Sequence, residues 1–435
     1  MVATMPSQTD YEGLIKEDKV HTSLYHSSEV FQEELDRIWY SQWIFIGHES
    51  EVPNPGDFRT GMVGQQPIII VRDQQNRINV FYNRCRHRGN TVCQLKRGNA
   101  KAFTCAYHGW TYDVDGSLKG VPFEEGYHEI LDHEELGLTP LPRVDSYRGF
   151  LFANLSPVGP GLDEHLGFAK ANIDRFCDVS PTGELDMSAG VFKIKLRANW
   201  KMWMENSVDS YHVPTTHGSN IYIYRRNVRA QSSEELKQSN RSVQGLVMSR
   251  DLGNGHTELD FRGQRRITGM SYTGEWSEEI SPEGQREFKE AMERFHGKEK
   301  ADRIEREGPS HTVIFPNLFF MLQEIRWCVP VSVDETNLYY APCLLKGAPE
   351  EINTMRLRRD EGGYGPAGFQ LADDIEIWER NYRGLRTRGD EWILMNRGFG
   401  QRPEVDEEGV LAQPDMSEIT MRGQWTHYKR IMTLA

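Results

Sequence analysis

Two Cys–His pairs constrain the fold of this chain more than any other feature of its sequence. Cys85/His87 and Cys105/His108 lie in the stretch CRHRGNTVCQLKRGNAKAFTCAYH, with the spacing C-x-H-x₁₇-C-x₂-H. Short β-type runs flank both pairs, so we expect the four side chains to lie on two loops of one small β unit. Six cysteines in 435 residues do not form a disulfide framework, and clustered Cys and His are then typical of a metal site.

Two kinds of metal site are compatible with these four side chains. Two thiolates and two imidazoles can hold a structural Zn²⁺. Zinc sites usually join like ligands in one loop, whereas each loop here carries one Cys and one His. A [2Fe–2S] cluster in which two His replace two Cys on one iron fits this arrangement, because each loop then gives one ligand to each iron.

Pattern changes along the chain predict three segments. SSEVFQEELDRIWY (27–40) has the apolar spacing of an amphipathic helix with a Ser cap. Short β runs separated by turn signals extend from about Trp43 to Leu155, and SPVGPG follows as a boundary. Strands and long helices then alternate in an α+β pattern with an antiparallel sheet. The predicted segments are a helical arm (1–40), a small all-β domain (41–157) and an α+β domain (158–435).

A second group of metal-binding residue types lies in NWKMWMENSVDSYHVPTTH (199–217). The spacing predicts a helix that places Glu205, Asp209 and His212 on one face. Pro214 is expected to end this helix, after which His217 turns back toward the same point. Two His and an acidic residue from elsewhere in the chain form the facial triad of non-haem Fe(II) oxygenases.

With both motifs present, the sequence resembles the α subunit of Rieske non-haem iron aromatic ring-hydroxylating oxygenases over nearly its whole length. The resemblance implies a Rieske [2Fe–2S] domain and a helix-grip (START-like) catalytic domain, with the N-terminal arm packing against the latter. It assigns Cys85, His87, Cys105 and His108 to the cluster. His212 and His217 become ligands of a mononuclear Fe(II).

The third iron ligand and a bridging role also follow from the resemblance. The family's ligand is an Asp after a G-P-x-G-F segment, and GPAGFQLADD (365–374) offers Asp373 and Asp374. Alignment of the motif favours Asp374, while an acidic pair near a helix start is favoured by the helix dipole in any case. Asp209 is expected to orient His212 and, as in the family, to contact the Rieske His108 of a neighbouring subunit.

The implied function is that of a terminal oxygenase component. It would use O₂ and NAD(P)H to hydroxylate an aromatic ring, most commonly by cis-dihydroxylation. No G-x-G-x-x-G motif follows a strand, so electrons are expected from a separate flavin reductase, a ferredoxin or both. The family's subunit contacts imply a trimer, α₃ or α₃β₃. The alternatives are a Rieske monooxygenase or demethylase and a pure electron-transfer protein.

The substrate pocket is the least constrained part of this interpretation. By resemblance its walls include Asn206, Ser207, Tyr364 and Gln370. Ser207 and Gln370 are polar where hydrocarbon oxygenases often have aromatic residues, which favours an aromatic carboxylate. The alternative is that both side chains point away from the pocket.

Charge and hydropathy exclude other classes of function. A net charge of −13 argues against a nucleic-acid-binding protein. The N-terminus has no apolar segment of signal-peptide length, and no apolar run approaches the roughly 20 residues of a membrane span. The sequence therefore predicts a cytoplasmic enzyme without a membrane anchor.

Overall fold

The computed structural model describes residues 9–219, 246–268, 271–273, 279–365 and 368–434. The chain divides into two compact units, one formed by residues 1–38 together with 163–435 and the other by residues 39–162. Within the described part of the chain, no helix is both long enough and apolar enough to cross a lipid bilayer.

The described α-helices are short in the N-terminal segment and longer toward the C-terminus. In chain order they are α1 (Tyr11–Leu14), α2 (Ser23–His26), α3 (Ser28–Glu34), α4 (Leu162–Leu166), α5 (Ala169–Cys177), α6 (Trp200–Asn206), α7 (Val213–Thr216), α8 (Arg262–Thr268), α9 (Pro282–His296), α10 (Lys298–Glu307), α11 (Glu350–Tyr364), α12 (Phe369–Leu385) and α13 (Ile419–Thr433).

Every pairing between the described strands is antiparallel. The strands are β1 (Lys19–His21), β2 (Ile44–His48), β3 (Asp57–Val63), β4 (Gln66–Arg72), β5 (Ile78–Tyr82), β6 (Arg97–Asn99), β7 (Ala102–Thr104), β8 (Thr111–Asp113), β9 (Leu118–Gly120), β10 (Arg143–Tyr147), β11 (Phe150–Asn154), β12 (Leu185–Asp186), β13 (Phe192–Leu196), β14 (Met248–Gly253), β15 (His256–Asp260), β16 (His311–Ile314), β17 (Leu318–Met321), β18 (Glu324–Ser332), β19 (Glu335–Pro342), β20 (Leu344–Leu345), β21 (Trp392–Leu394), β22 (Glu404–Val405) and β23 (Leu411–Pro414).

The unit of residues 39–162 is built from small sheets. Its described strands form the orders β10-β11-β2, β5-β4-β3-β6 and β7-β8-β9. Phe58, Phe103 and Trp110 pack in its core together with the side chains of Cys85 and Cys105. Both thiols are therefore positioned by the same packing that stabilises the unit.

The other unit is organised around one large antiparallel sheet. Its order over the described strands is β13-β19-β18-β17-β16-β15-β14-β23-β22. Helix α6 packs against β18, and α13 packs against β14 and β15. Helix α12 contacts α2, α6 and α7, so the segment that carries His212 and His217 lies beside the helix that carries Asp373 and Asp374.

The N-terminal helices are held to this unit by a buried charge. Ser27 caps α3, because its hydroxyl accepts a hydrogen bond from the Val30 N–H. At the end of α3, the Glu34 carboxylate accepts from Trp200 Nε1 at 2.9 Å and pairs with Lys201 Nζ. The remaining lone pairs of a buried carboxylate also need hydrogen-bond donors. The Tyr428 hydroxyl supplies one, because it donates to Glu34 Oε1 at 2.6 Å.

Candidate metal centres

The two Cys–His loops share one backbone design. The Gly89 N–H donates to the Cys85 carbonyl and the Gly109 N–H donates to the Cys105 carbonyl, each at 3.0 Å. Both glycines have φ in the left-handed region, +77° and +72°, which glycine adopts at little cost. Each loop therefore forms a tight turn, and its Cys and its His lie within that turn.

The sulfur environment suits thiolate ligands. The Cys85 and Cys105 side chains are buried, and the Tyr112 hydroxyl lies 3.2 Å from the Cys85 sulfur. The Asn90 amide donates to the Cys105 sulfur at 3.6 Å. Burial opposes ionisation of Cys105, but the Tyr107 backbone N–H and the Asn90 amide outweigh burial and lower the pKa of this thiol. Hydrogen bonds to sulfur are one of the means by which proteins set the potential of iron–sulfur clusters.

The two imidazoles lie side by side. The His87 and His108 ring centroids are 4.6 Å apart. His87 stacks on Trp110 at 5.0 Å, and its buried Nδ1 has no hydrogen-bond partner among the described residues. His108 is exposed, and Tyr107 stacks on it at 3.7 Å. Two neighbouring buried sulfurs and two adjacent imidazoles fit a [2Fe–2S] cluster with one iron held by each pair.

The backbone that carries His212 differs from the prediction. Helix α6 ends at Asn206, and Asp209 lies in a turn in which its carboxylate accepts from the Tyr211 N–H at 2.7 Å. Pro214 then lies in the first turn of α7, where a proline is well tolerated. The prediction of one helix that runs through Asp209 and His212 and ends at Pro214 is therefore wrong. Pro214 begins a helix rather than ending one.

Three side chains nevertheless meet at one point. His212 precedes α7, His217 follows it, and Asp374 lies on α12. Asp374 Oδ1 is 3.1 Å from His217 Nε2 and 3.6 Å from His212 Nε2, and one ligand atom from each residue lies within 4.8 Å of the others. Asp374 Oδ1 is buried and has no hydrogen-bond partner in the described chain. This donor set fits a mononuclear Fe(II) with open positions.

Each imidazole has a second carboxylate at its other nitrogen. Asp209 Oδ2 is 3.2 Å from His212 Nδ1, and Asp373 Oδ2 is 3.5 Å from His217 Nδ1. Burial lowers the pKa of His217, but Asp374 and then Asp373 outweigh burial and raise it. Carboxylates in this position fix the orientation and tautomer of a metal-binding imidazole. The sequence argument considered Asp373 only as an alternative ligand or a dipole contact and missed its contact with His217.

Glu205 contacts different partners from the imidazoles. Its carboxylate accepts from the Tyr25 hydroxyl at 2.5 Å and from Trp425 Nε1 at 2.8 Å. Desolvation raises the pKa of Glu205 to about 7, although both hydrogen bonds act in the opposite direction. The predicted common face with Asp209 and His212 is thus absent from this segment, and Glu205 joins α6 to α2 and α13.

The predicted pocket residues are half-buried. The Ser207 hydroxyl donates to the Trp203 carbonyl at 2.7 Å, a local bond that directs it along its own helix. Tyr364, at the end of α11, lies under the Arg326 guanidinium, 4.2 Å from its ring centroid. Asn206, Ser207, Tyr364 and Gln370 stay predictions as pocket residues.

Known proteins share both parts of this chain. Residues 42–141 match the model of the Rieske [2Fe-2S] domain, and residues 187–433 match that of the catalytic domain of the ring-hydroxylating alpha subunit. The chain belongs to the Rieske ring-hydroxylating dioxygenase α subunits. The predicted family and the predicted α+β class are thereby confirmed.

Curated relatives of this α subunit act on both acids and hydrocarbons. It is 30% identical to the 2-halobenzoate 1,2-dioxygenase large subunit of Burkholderia cepacia, over 86% of this chain and 79% of the relative. It is 32% identical to biphenyl 2,3-dioxygenase subunit alpha of Rhodococcus jostii (strain RHA1), over 94% and 88%.

Among solved structures, naphthalene 1,2-dioxygenase with indole bound superposes with a TM-score of 0.82 at 28% identity, over 99% of this chain and 95% of that one. This α subunit is accordingly a Rieske non-haem iron ring-hydroxylating dioxygenase, and its His-His-Asp site is consistent with the mononuclear iron of that class.

Proposed function

We propose that this α subunit cis-dihydroxylates an aromatic substrate at an Fe(II) held by His212, His217 and Asp374. The meeting of these three side chains within 4.8 Å carries the proposal. We assign the [2Fe–2S] cluster to Cys85, His87, Cys105 and His108. An Fe(II) held by the triad would supply the dioxygen chemistry, and a cluster held by the two Cys–His pairs would supply electrons one at a time.

The protein's own residues prepare the triad for this chemistry. Asp209 and Asp373 lie 3.2 and 3.5 Å from the Nδ1 atoms of His212 and His217, positions from which a carboxylate favours the Nδ1–H tautomer and leaves Nε2 for a metal. A single carboxylate ligand, Asp374, leaves open coordination positions and net positive charge at a ferrous site.

Asp209 is proposed to have a second role between subunits. Its carboxylate is only partly buried, and His108 is exposed on the Rieske unit. We propose that Asp209 of one copy hydrogen-bonds His108 of a second copy, a contact that would connect the cluster ligands of one copy to the triad of the next. That contact requires an oligomer, and the family's trimer, α₃ or α₃β₃ with a small β subunit, satisfies the requirement. A ferredoxin, a flavin reductase or both complete the path from NAD(P)H.

The substrate proposed for this site is an aromatic carboxylate. Two relatives of this α subunit, a 2-halobenzoate and an anthranilate 1,2-dioxygenase, are named for aromatic carboxylates. Product analysis separates this proposal from monooxygenation, because dihydroxylation places both atoms of ¹⁸O₂ in one diol and a monooxygenase places one.

Metal analysis combined with one substitution tests the assignment. The purified protein is expected to contain three irons and two acid-labile sulfides per chain. Asp209→Ala should keep all three irons and the Rieske spectrum and lose more than about 90% of NADH-driven turnover, since outer carboxylates typically change activity 10–100-fold. Full activity in this variant would contradict the proposed hydrogen bond between Asp209 and His108 of a second copy. Two irons per wild-type chain would argue for a pure electron-transfer protein.

A further inference from the structure

The turn that carries Asp209 lies between two helices and belongs to neither. Helix α6 ends at Asn206, and α7 begins at Val213. Within the turn, Asp209 Oδ1 accepts from the Tyr211 N–H at 2.7 Å, while Oδ2 lies 3.2 Å from His212 Nδ1. The carboxylate can therefore orient this imidazole only if contacts from elsewhere in the chain hold the turn in place.

The ring of Tyr211 makes one such contact. Tyr211 is 52% exposed, and the Arg397 guanidinium lies over its ring, 3.8 Å from the ring centroid. A guanidinium within about 6 Å of an aromatic centroid is attracted by the quadrupole of the ring. This stack restrains Tyr211, whose backbone N–H is the donor to Asp209.

Backbone groups near the C-terminus hold Arg397 and the turn together. Arg397 Nε donates to the Met416 carbonyl at 2.6 Å. The Arg397 N–H donates to Glu418 Oε2 at 2.7 Å. The Met416 N–H donates to Ser210 Oγ, also at 2.7 Å. Met416 thus contacts the turn through its N–H and the guanidinium through its carbonyl.

The backbone conformation of Met416 is a second, independent observation. Its φ is +63°, in the left-handed region that few residues other than glycine adopt. Residues in such conformations persist only where their surroundings hold them, and they cluster at functional sites. The conformation of Met416 therefore indicates that its contacts with Ser210 and Arg397 have a function beyond packing.

We propose that Arg397 and Tyr211 are positioning residues of the iron site. Stacked on each other, they hold the turn so that Asp209 stays at Nδ1 of His212. This inference rests on the proposed Fe(II) site and deepens it, because it adds two residues that act on the metal only through Asp209. Neither side chain is a metal ligand in this proposal.

Fe(II) binding tests the proposal without turnover. Anaerobic competition with a chromogenic chelator measures the affinity of the triad, and the visible spectrum confirms that the Rieske cluster stays intact. Arg397→Gln should lower Fe(II) affinity about three- to tenfold, below the 10–100-fold typical of losing an outer carboxylate outright. Arg402→Gln, at an exposed Arg of the same segment, is the matched control and should bind Fe(II) like the wild-type protein.

Two substitutions of Tyr211 separate the ring from the hydroxyl. Tyr211→Leu removes the ring but keeps the backbone N–H, and it should lower Fe(II) affinity by about the same factor as Arg397→Gln. Tyr211→Phe keeps the ring and should bind Fe(II) like the wild-type protein. Because Tyr211 is 52% exposed, neither change opens a cavity in the core, so this pair decides the question even if Arg397→Gln fails to fold.

A double-mutant cycle asks whether Arg397 acts through Asp209. With Fe(II) in excess each variant still fills the site, so affinity rather than iron content is compared. Residues that act as one unit give non-additive effects. Arg397→Gln should therefore have no further effect on Fe(II) affinity in an Asp209→Ala background.

A loss of affinity in Arg397→Gln and Tyr211→Leu that disappears in the Asp209→Ala background supports the positioning role. Equal affinity in Arg397→Gln and Arg402→Gln overturns it, and so does a fully additive loss in the double variant, which a merely structural role would produce. Fe(II) binding with the expected dependence, in a protein that oxidises no aromatic ring, would support the positioning role and refute the proposed function. Ring oxidation by an enzyme whose Fe(II) affinity does not depend on Arg397 would do the reverse.

Discussion

At the scale of single residues, each imidazole of the proposed iron site has a carboxylate near its Nδ1, but only one of these two contacts could be predicted from the sequence. Asp209 precedes His212 by three residues, so its contact is local and could be predicted. Asp373 reaches His217 from another helix. Adjacent residues on a helix point about 100° apart, which explains how Asp374 faces the metal side of the imidazoles while Asp373 faces the Nδ1 of His217. Sequence spacing alone left the choice between these two carboxylates open.

Replacing Asp373 should weaken iron binding without removing a ligand. Asp373→Asn preserves size but withdraws the carboxylate that lies 3.5 Å from His217 Nδ1. Loss of such a partner typically lowers metal affinity 10–100-fold, and we expect that range for Fe(II), measured by competition with a chromogenic chelator. Glu376→Gln, an exposed acid on the same helix that pairs with Arg380, is the matched control. Equal Fe(II) affinity in the two variants would show that Asp373 has no such role.

At the scale of elements, the segment after α6 shows where helical spacing misleads. Asp209 and its neighbours read as helical by periodicity, yet a short polar side chain can take a backbone N–H and favour a turn. The Asp209–Tyr211 bond does this, and Pro214 then starts α7. The two His remain close because they flank one short helix. The proximity of the two His could therefore be predicted although the backbone between them could not.

Glu205, which joins α6 to α2 and α13, should make the free energy of unfolding depend on pH. The folded pKa of Glu205, about 7, is raised above its unfolded value. The protonated form is therefore favoured in the folded state, and stability is lost as pH rises from about 4.5 through 7, by about 3 kcal/mol for this group. Glu205→Gln stays neutral and keeps an acceptor for Tyr25 and Trp425. Relative to wild type, we expect this variant to gain about 2–3 kcal/mol of stability between pH 5 and pH 8.

Chemical denaturation at the two pH values measures this difference. Glu17→Gln, at an exposed position of the N-terminal segment, corrects for the loss of one surface charge. A difference between Glu205→Gln and wild type that is the same at pH 5 and pH 8 would mean that Glu205 does not titrate in this interval.

At the scale of the whole molecule, the predictable features are those whose residues are close in sequence. The proposed cluster ligands lie between Cys85 and His108, and the two His of the proposed iron site lie five residues apart. Each of these groups could be interpreted before the fold was known. The aromatic rings that surround Arg326 come from β17, β19 and α11, which only the fold brings together. Within β18, spacing offers only Glu324, two residues before Arg326, as a partner of the guanidinium.

Because each ligand set lies within one compact unit, removing the mononuclear iron should destabilise only the unit that contains the triad. A ligand present at 100 times its Kd stabilises the folded form by about 2.7 kcal/mol, so a chelator should lower the Tm of that unit by roughly 5–10 °C.

Ellipticity at 222 nm reports mainly on this unit, since the described α-helices lie almost entirely outside residues 39–162. Visible circular dichroism of the cluster reports on residues 39–162. We expect the first signal to shift and the second to stay in place, and His212→Ala should show no further shift with chelator. A joint shift of both signals would show that the two units unfold together and that the iron stabilises the molecule as a whole.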